Sequence, residues 1–332
     1  MTERCRLYPT SKVEVALTEH CAHERFLFNL AVEQFEFALR HRPYRAGKRQ
    51  SWPSPKTRST ELTELRKELG WLAAGSRKVQ TQALRIVDQA YRNWWSNPGH
   101  FRRPTFRSRH GTQGFSVVGA GQDFAVARLN RRWAQIRLPK TGWVRFRVTR
   151  NWPIIAATRS ARITCDRAGR WWVTFPAAQP TVNRSQTGAA VGVDRGVVNT
   201  VATSDGRFGT IPGLSAGEAE RLIRLERRIA RQTRGSRRRA KTCRAKARLQ
   251  ARAADRRRDW IEKSTTALVR DHDLIAIERL QVKNMVRSGR GGVERPGINV
   301  AAKRGLNRSI HGSAWSQWAT RLRQKADTCG VL

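Results

Sequence analysis

The chain has few acidic residues for its length. Its 332 residues include 66 Lys and Arg but only 25 Asp and Glu, so the formal net charge at pH 7 is +41. A small domain needs a net charge of only about 2 to 8 for solubility, so this excess predicts a polyanionic partner. Nucleic acid is favoured over a membrane surface because the positive charge runs along the whole chain, whereas membrane binding usually relies on one amphipathic helix or one basic cluster.

Long apolar runs are also missing. No stretch approaches the roughly 20 apolar residues of a membrane span, and the opening sequence MTERCRLYPTSKVEV lacks the apolar core of a signal peptide. We therefore expect a cytoplasmic protein without a membrane partner. The cysteines form no CxxC pair and are odd in number, which argues against a disulfide framework and against a zinc site. They are Cys5, Cys21, Cys165, Cys243 and Cys329.

The length predicts two or three domains, and the spacing of the apolar residues changes along the chain. A short strand is expected around residues 5–8. Apolar residues at helical spacing then predict a helical unit over 11–96, interrupted by a Pro-rich and Ser-rich loop at 43–60. Alternating segments over about 112–178 predict short strands in a small barrel or sandwich. These segments are GFSVV, FAVARL, WAQIRL, WVRFRV, ARITCD and WWVTF.

The last part of the chain mixes apolar strands with basic helices. The segments AAVGVD at 189–194, VVNTVATSDG at 197–206 and LIAIE at 274–278 predict strands, with a turn at Asp205-Gly206. A Gly-rich loop at 288–297 and a helix around 314–326 are expected after them.

Between these strands lies a long arginine-rich stretch. From Arg221 to Arg258, seventeen basic residues face two acids, and Gly235-Ser236 separates two helices. A solvated helical face is one interpretation, but so unequal a charge repels itself unless phosphates neutralise it. Nucleic-acid contact is therefore predicted here, and backbone phosphate is a candidate partner for Lys283 and Asn284. The candidate contact residues of the stretch are Arg221, Arg224, Arg228, Arg231, Arg237, Arg238, Arg239, Lys241, Arg256 and Arg257.

Two acids stand at the ends of apolar strands. Asp194 closes AAVGVD, and Glu278 closes LIAIE. Metal ions that act on a phosphodiester need carboxylates on rigid elements. Acids at strand ends also form turns and cap helices, so the spacing alone leaves both interpretations open.

Several segments carry a resemblance to a known family. The most specific are VGVDRGVVNTVATSDG at 191–206, RRDWIEKSTTALVRDHDLIAIERLQVKNM at 257–285 and KRGLNRSIHGSAWSQWATRLRQKAD at 303–327. Less specific ones are RLYPT at 6–10, the stretch 82–109, IRLPKTGWVRFR at 136–147 and GRWWVTF at 169–175. Together they resemble the TnpB (OrfB) family of transposon-encoded, RNA-guided, RuvC-type DNA nucleases.

The resemblance implies a multidomain α+β fold. A helical recognition unit at 11–100 would be inserted into a small β-barrel (wedge-like) domain, made of a first strand at 1–10 and the segment 101–182. A ribonuclease H-like (RuvC) α/β domain would follow at 187–332. It also implies that Asp194 and Glu278 are two RuvC metal-binding acids for Mg²⁺, and that the partners are DNA and a guide RNA from the transposon end. The oligomeric state stays open.

The resemblance further implies elements that this sequence does not contain. In the family, the helix matching 314–327 precedes another strand, a CxxC…CxxC zinc ribbon and a third catalytic Asp, whereas the chain stops at Leu332. We therefore expect no zinc and little or no DNA cleavage, because one lost metal ligand costs roughly a thousandfold in rate. The alternative function is a cleavage-deficient RNA-guided DNA-binding repressor or a decayed remnant. A general RNA-binding protein would fit the charge but would not explain the two strand-end acids.

Overall fold

The chain folds into two units, Met1–Ala178 and Gln179–Leu332. A computed structural model describes residues 2–40, 54–119, 124–149, 152–177, 181–292 and 294–332. None of the described helices is long and apolar enough to cross a membrane.

The first unit is built on a seven-stranded antiparallel sheet. The first strand of the chain lies at its centre, and the six strands predicted from alternation at 112–178 are all present. The sheet curls into a half-barrel whose two edges are the second and third strands of the chain, which do not pair within the described residues. In order across the sheet, the strands are β2 (Gln113–Val118), β6 (Ser160–Cys165), β7 (Trp171–Pro176), β1 (Thr2–Tyr8), β5 (Gly142–Arg147), β4 (Trp133–Leu138) and β3 (Ala125–Arg128).

Four of the described helices of this unit come between β1 and β2 in the chain, and a fifth, short helix comes between β5 and β6. The first helix serves two cores: Leu17 and Cys21 pack on the sheet, whereas Leu27 and Phe35 pack among the other helices. The described helices are α1 (Ser11–Arg40), α2 (Pro55–Glu68), α3 (Gly70–Ala74), α4 (Arg77–Ser96) and α5 (Trp152–Ala156).

The predicted loop at 43–60 is wrong at its end, because α2 already begins at Pro55. Ser54 caps this helix by accepting from the Thr57 backbone N–H at 3.1 Å, and proline suits the first helical turn because no N–H is needed there. The part of the predicted loop at 43–53 lies outside the described residues.

The second unit has a four-stranded sheet with one parallel pair. The first three strands form an antiparallel meander, and the fourth, which comes after two long helices, pairs in parallel with the first. The predicted turn at Asp205-Gly206 is confirmed, with Gly206 at φ +82°. In order across the sheet, the strands are β10 (Phe208–Gly209), β9 (Val201–Thr203), β8 (Ala190–Asp194) and β11 (Leu274–Ile277).

A small apolar core joins this sheet to two of the helices. Val191 and Val193 of the sheet pack in one cluster with Leu268, Trp318 and Leu322. The helices are α6 (Ala216–Arg231), α7 (Arg237–Asp271), α8 (Val282–Met285), α9 (Val300–Gly312) and α10 (Trp315–Cys329). The two that the core joins to the sheet are α7 and α10. The mixed α+β architecture with a curled antiparallel sheet and helices is thus confirmed, and the ribonuclease H-like arrangement stays a prediction.

Candidate active site

Asp194 and Glu278 lie side by side at one end of the second sheet. Strands β8 and β11 run parallel, and Ile277 pairs with Val193. Asp194 follows Val193, and Glu278 follows Ile277. Adjacent strands lie about 4.8 Å apart. Side chains alternate along a strand, so the Asp194 carboxylate points away from the face on which Val193 is buried. Both acids are exposed, and each follows one residue of the Val193–Ile277 pair.

A buried arginine lies next to this acid pair. Arg195 is 7% exposed and donates from Nη2 to the backbone carbonyl of Glu278. Burial lowers the pKa of Arg195, and the nearby carboxylates of Glu278 and Asp194 oppose that shift. The guanidinium stays charged because the ordinary arginine pKa is far above neutral. It therefore ties the end of β11 to the residue after β8 and offsets part of the repulsion between the two carboxylates.

The loop after Asp194 is held by a tight turn and by α10. The Gly196 backbone N–H donates to Asn199 O at 3.0 Å, and a Cβ on Gly196 would lie only 2.9 Å from that same oxygen. The buried Trp315 donates from Nε1 to the Gly196 carbonyl at 3.3 Å. Because these contacts fix both sides of the loop, the direction of the Asp194 backbone is set by tertiary structure as well as by the strand.

The donor set suits a hard divalent cation. Mg²⁺ is commonly held by one or two carboxylates, with waters and substrate phosphates completing its octahedron. Asp194 and Glu278 offer two exposed oxygen donors of that kind on neighbouring strands. Across the described ranges, no group of three or more His, Cys, Asp and Glu side chains is gathered closely enough to hold a metal ion. The pair would therefore leave most of the coordination sphere to water and phosphate.

Helices α6 and α7 gather predicted nucleic-acid contacts from two parts of the sequence. A groove of about 760 Å³ runs between them, with Leu225, Thr242 and Ala245 among its lining residues. Four of the predicted cations line the same groove, two from each helix. They are Arg221, Arg228, Arg238 and Lys241.

Two other predicted contacts hold the hairpin together instead. Arg239 donates from Nη1 to the carbonyls of Ile229 and Gln232, at the end of α6. Arg256 binds both carboxylate oxygens of Glu218 and the Gly213 carbonyl. The hydrogen bond from Arg256 lowers the pKa of Glu218 to about 2. These two guanidinium groups therefore have internal partners.

The remaining predicted contacts are spread over the surface of the second unit. Arg224 forms an exposed ion pair with Glu220 at 3.8 Å. Arg257 is half-buried on α7. The other predicted contacts are exposed, on α6, α7 and α8. They are Arg231, Arg237, Lys283 and Asn284.

Sequence reasoning missed three arginines at these sites. Arg195 left no signal in the sequence, because its burial beside the acids depends on tertiary packing. Arg244 and Arg248 line a second groove of about 530 Å³ on α7, together with Arg237 and Lys241. Their spacing from Arg237 and Lys241, at steps of three or four residues, places all four on one helical face. That signal was available in the sequence.

Comparison with known proteins agrees with the resemblance. A family described as "Probable transposase" matches residues 174–289, a range that includes Asp194 and Glu278. The "Putative RNA-guided DNA endonuclease InsQ" of Escherichia coli (strain K12) is 30% identical over 325 residues, covering 96% of this chain and 76% of that protein. A "Putative RNA-guided DNA endonuclease" of Streptomyces pristinaespiralis is 29% identical over 329 residues, covering 96% of this chain and 73% of that protein. This chain therefore belongs to the transposase-associated TnpB (OrfB) family of RNA-guided DNA endonucleases.

Proposed function

We propose that this chain binds a guide RNA and DNA, and that Asp194 and Glu278 belong to a Mg²⁺-dependent site for phosphodiester hydrolysis. The observation that carries the proposal is the parallel register of β8 and β11, which makes neighbours of two acids 84 positions apart. The names of the two relatives support the same activity.

The topology of the second unit supports a ribonuclease H-like core. Three antiparallel strands come first in the chain, a helical connection follows, and β11 then returns in parallel beside β8. A parallel return of this kind places the carboxyl ends of the two strands at one edge of the sheet, where sites of α/β sheets commonly lie.

Each residue of the site has a distinct task in this proposal. When bound, Mg²⁺ supplies a Lewis acid for the scissile phosphate and lowers the pKa of coordinated water. Asp194 and Glu278 would hold the ion at the sheet edge. Arg195 would act as a positioning residue, because its bond to the Glu278 carbonyl sets the spacing of the two strand ends.

The groove between α6 and α7 would bind the nucleic-acid backbone. Its four cations are carried by two helices joined through a short turn, so they line one groove from both sides. Arginine suits this task because its planar fork donates to two phosphate oxygens at once. Each neutralised phosphate releases counterions, so binding should weaken steeply with salt.

The test is DNA cleavage by the purified chain loaded with RNA from its transposon end, in Mg²⁺. The variants are Asp194→Asn and Glu278→Gln, which remove one charge while keeping the shape of the side chain. We expect each to lower the cleavage rate by roughly a thousandfold, with RNA and DNA affinity retained. The matched control is Asp259→Asn, which removes one exposed acid on α7.

The outcomes separate the parts of the proposal. Cleavage that survives both substitutions would contradict the role of the acid pair. RNA-directed DNA binding without any cleavage by the unsubstituted chain would contradict the hydrolysis step. It would agree with the little or no cleavage expected from the sequence and favour the binding-only alternative. Absence of RNA and DNA binding would contradict the whole proposal.

A further inference from the structure

Three arginines of the first unit converge on a small pocket. Arg25 comes from α1, Arg107 from the segment between α4 and β2, and Arg162 from β6. The cavity they line is about 100 Å³, roughly three times the share of volume that one water takes in the liquid, about 30 Å³. Such a space fits a compact group of a few atoms and excludes a whole nucleotide.

The arginines are held in place by a network of internal hydrogen bonds. Arg107 lies over the Phe28 ring, with Cζ 3.5 Å from the ring centre, and its side chain pairs with Glu24. The Asn29 side chain bonds both the N–H and the carbonyl of Arg107, at 2.8 and 3.1 Å. Since both backbone groups and the side chain are fixed, Arg107 is preorganised before any ligand arrives.

The other two arginines are fixed by side chains of β2. Arg25 donates to Gln113 Oε1, and the Gln113 amide donates in turn to three carbonyls of the 108–111 turn, at 3.1 Å each. Arg162 donates to Ser116 Oγ at 3.2 Å. Within the part of the chain that the structure describes, each of the three guanidinium groups makes a single side-chain hydrogen bond. A guanidinium carries five N–H donors, so most of them are available.

The charges in the pocket do not balance. Three guanidinium groups face one carboxylate, Glu24, which is buried. The thiol of Cys21 also lines the pocket, and burial raises its pKa, so it carries no negative charge at neutral pH. Two positive charges are therefore left without a counter-charge in a half-enclosed space. Such a set calls for an anion that accepts several hydrogen bonds.

We propose that this pocket holds one phosphate group of the backbone of a bound nucleic acid. The inference rests on the proposed function, since it names the phosphate contact that the first unit makes. A phosphodiester presents oxygens that two or three guanidinium forks can bind together, and the volume admits one such group. The pocket would fix the register of the strand on this unit without reading its sequence.

The experiment measures the affinity of the full chain for a uridine homopolymer and for a DNA duplex across a salt series. The variants are Arg25→Gln, Arg162→Gln and the double variant. The control is Arg167→Gln, which removes the same charge from an exposed arginine in the β6–β7 turn. We expect each single variant to lose about tenfold in affinity, the lower end for a hydrogen bond to a charged group. The control should lose much less.

Non-additivity is the sharper readout. Because both arginines bind one phosphate, the double variant should make the slope of log K against log salt shallower by about 0.7 to 0.9, which is one phosphate. A slope change of two phosphates would overturn the proposal, as would single variants equal to the control. If Arg25→Gln unfolds the chain because Gln113 loses its hydrogen bond, the affinity of Arg162→Gln compared with that of the control tests the proposal by itself.

Inorganic phosphate tests the other source of the same chemistry. At constant ionic strength, it should compete with both nucleic acids in the unsubstituted chain. If phosphate raises the melting temperature through Arg25 and Arg162 while the affinity for both nucleic acids stays unchanged in the variants, the pocket binds free phosphate and the proposal is overturned. If the unsubstituted chain binds neither nucleic acid, the proposed function fails together with this inference.

Discussion

Two helix pairs of the second unit place their Lys and Arg side chains in opposite surroundings. Where α10 packs on α7, Arg321 binds both carboxylate oxygens of Glu262, at 2.7 and 2.9 Å. Lys325 is almost fully buried. Its Nζ lies 3.0 Å from a carboxylate oxygen of Glu262 and donates to the Glu262 carbonyl and to the hydroxyls of Thr265 and Thr266, all within 2.9 Å. Every N–H of the Lys325 ammonium thus has an acceptor.

Where α6 packs on α7, the four cations of the groove are exposed to solvent. No residue of α6 is buried, and its stripe of Leu222, Leu225 and Ile229 is only half covered. The four groove cations surround that stripe. The comparison teaches that the role of a lysine or arginine follows from the acids and carbonyls within its reach.

The largest expected effect is on nucleic-acid binding by the hairpin. Replacing all four groove cations with Gln should lower the affinity for RNA and DNA by roughly a thousandfold near 0.1 M salt, and should make the salt slope shallower by about 3 to 4, because four phosphates lose their partners. Binding titrations over a salt series measure both quantities. The variant changes Arg221, Arg228, Arg238 and Lys241.

A charge-matched control removes four exposed cations elsewhere on the same unit. If this control loses as much affinity as the groove variant, overall charge rather than the groove explains binding, and the contrast between the two helix pairs fails. The control residues are Arg258, Lys263, Arg304 and Arg308.

The next largest effect is on stability at the α7–α10 contact. Glu262→Gln leaves Arg321 and Lys325 buried without their carboxylate, so the free energy of unfolding should fall by roughly 3 kcal/mol. Denaturant unfolding measures it. The matched control is Glu220→Gln, at an exposed pair, which should change stability by less than about 0.5 kcal/mol. Equal effects would show that the buried network contributes no more than a surface pair.

The sequence predicted the strands and the position of the acids well, for a physical reason. Alternation and apolar runs report burial directly, so β8 and β11 and their closing acids could be read from the chain. The break between α6 and α7 was equally visible, because Gly235 takes φ +84° and Ser236 caps the next helix. That Asp194 and Glu278 are neighbours follows from the register of β8 and β11 in the structure.

The remaining features depend on tertiary contacts that leave a weak local signal. Helix α9 was not predicted, since Ile310 is its only buried residue and its apolar periodicity is therefore faint. Arg239 and Arg256 were grouped with the nucleic-acid contacts because the sequence does not tell which carbonyls and carboxylates lie within reach. The buried position of Arg195 has the same origin.

A smaller effect is the pH dependence of the α7–α10 contact. Burial raises the pKa of Glu262, but the hydrogen bonds from Arg321 and Lys325 outweigh it, so the folded-state pKa lies below the ordinary value of about 4.3. The stabilisation is then complete above that value and is lost as the pH falls through the folded-state pKa. Unfolding of the original chain and of Glu262→Gln between neutral and acidic pH measures it: the stability difference between them should shrink on acidification. A constant difference would contradict the assignment.

The smallest effect separates two cations of the hairpin, Arg256 and Lys241, that the sequence could not tell apart. Arg256→Gln should lower the melting temperature, because Glu218 and the Gly213 carbonyl lose their donor, while the salt slope of nucleic-acid binding stays the same. Lys241→Gln removes the same charge from the groove, so it should reduce that slope by about 0.7 to 0.9 and leave the melting temperature unchanged. If both variants change the same quantity, internal partners do not decide which cations bind phosphate. The opposite responses follow only if Arg256 is committed to the protein and Lys241 to the ligand.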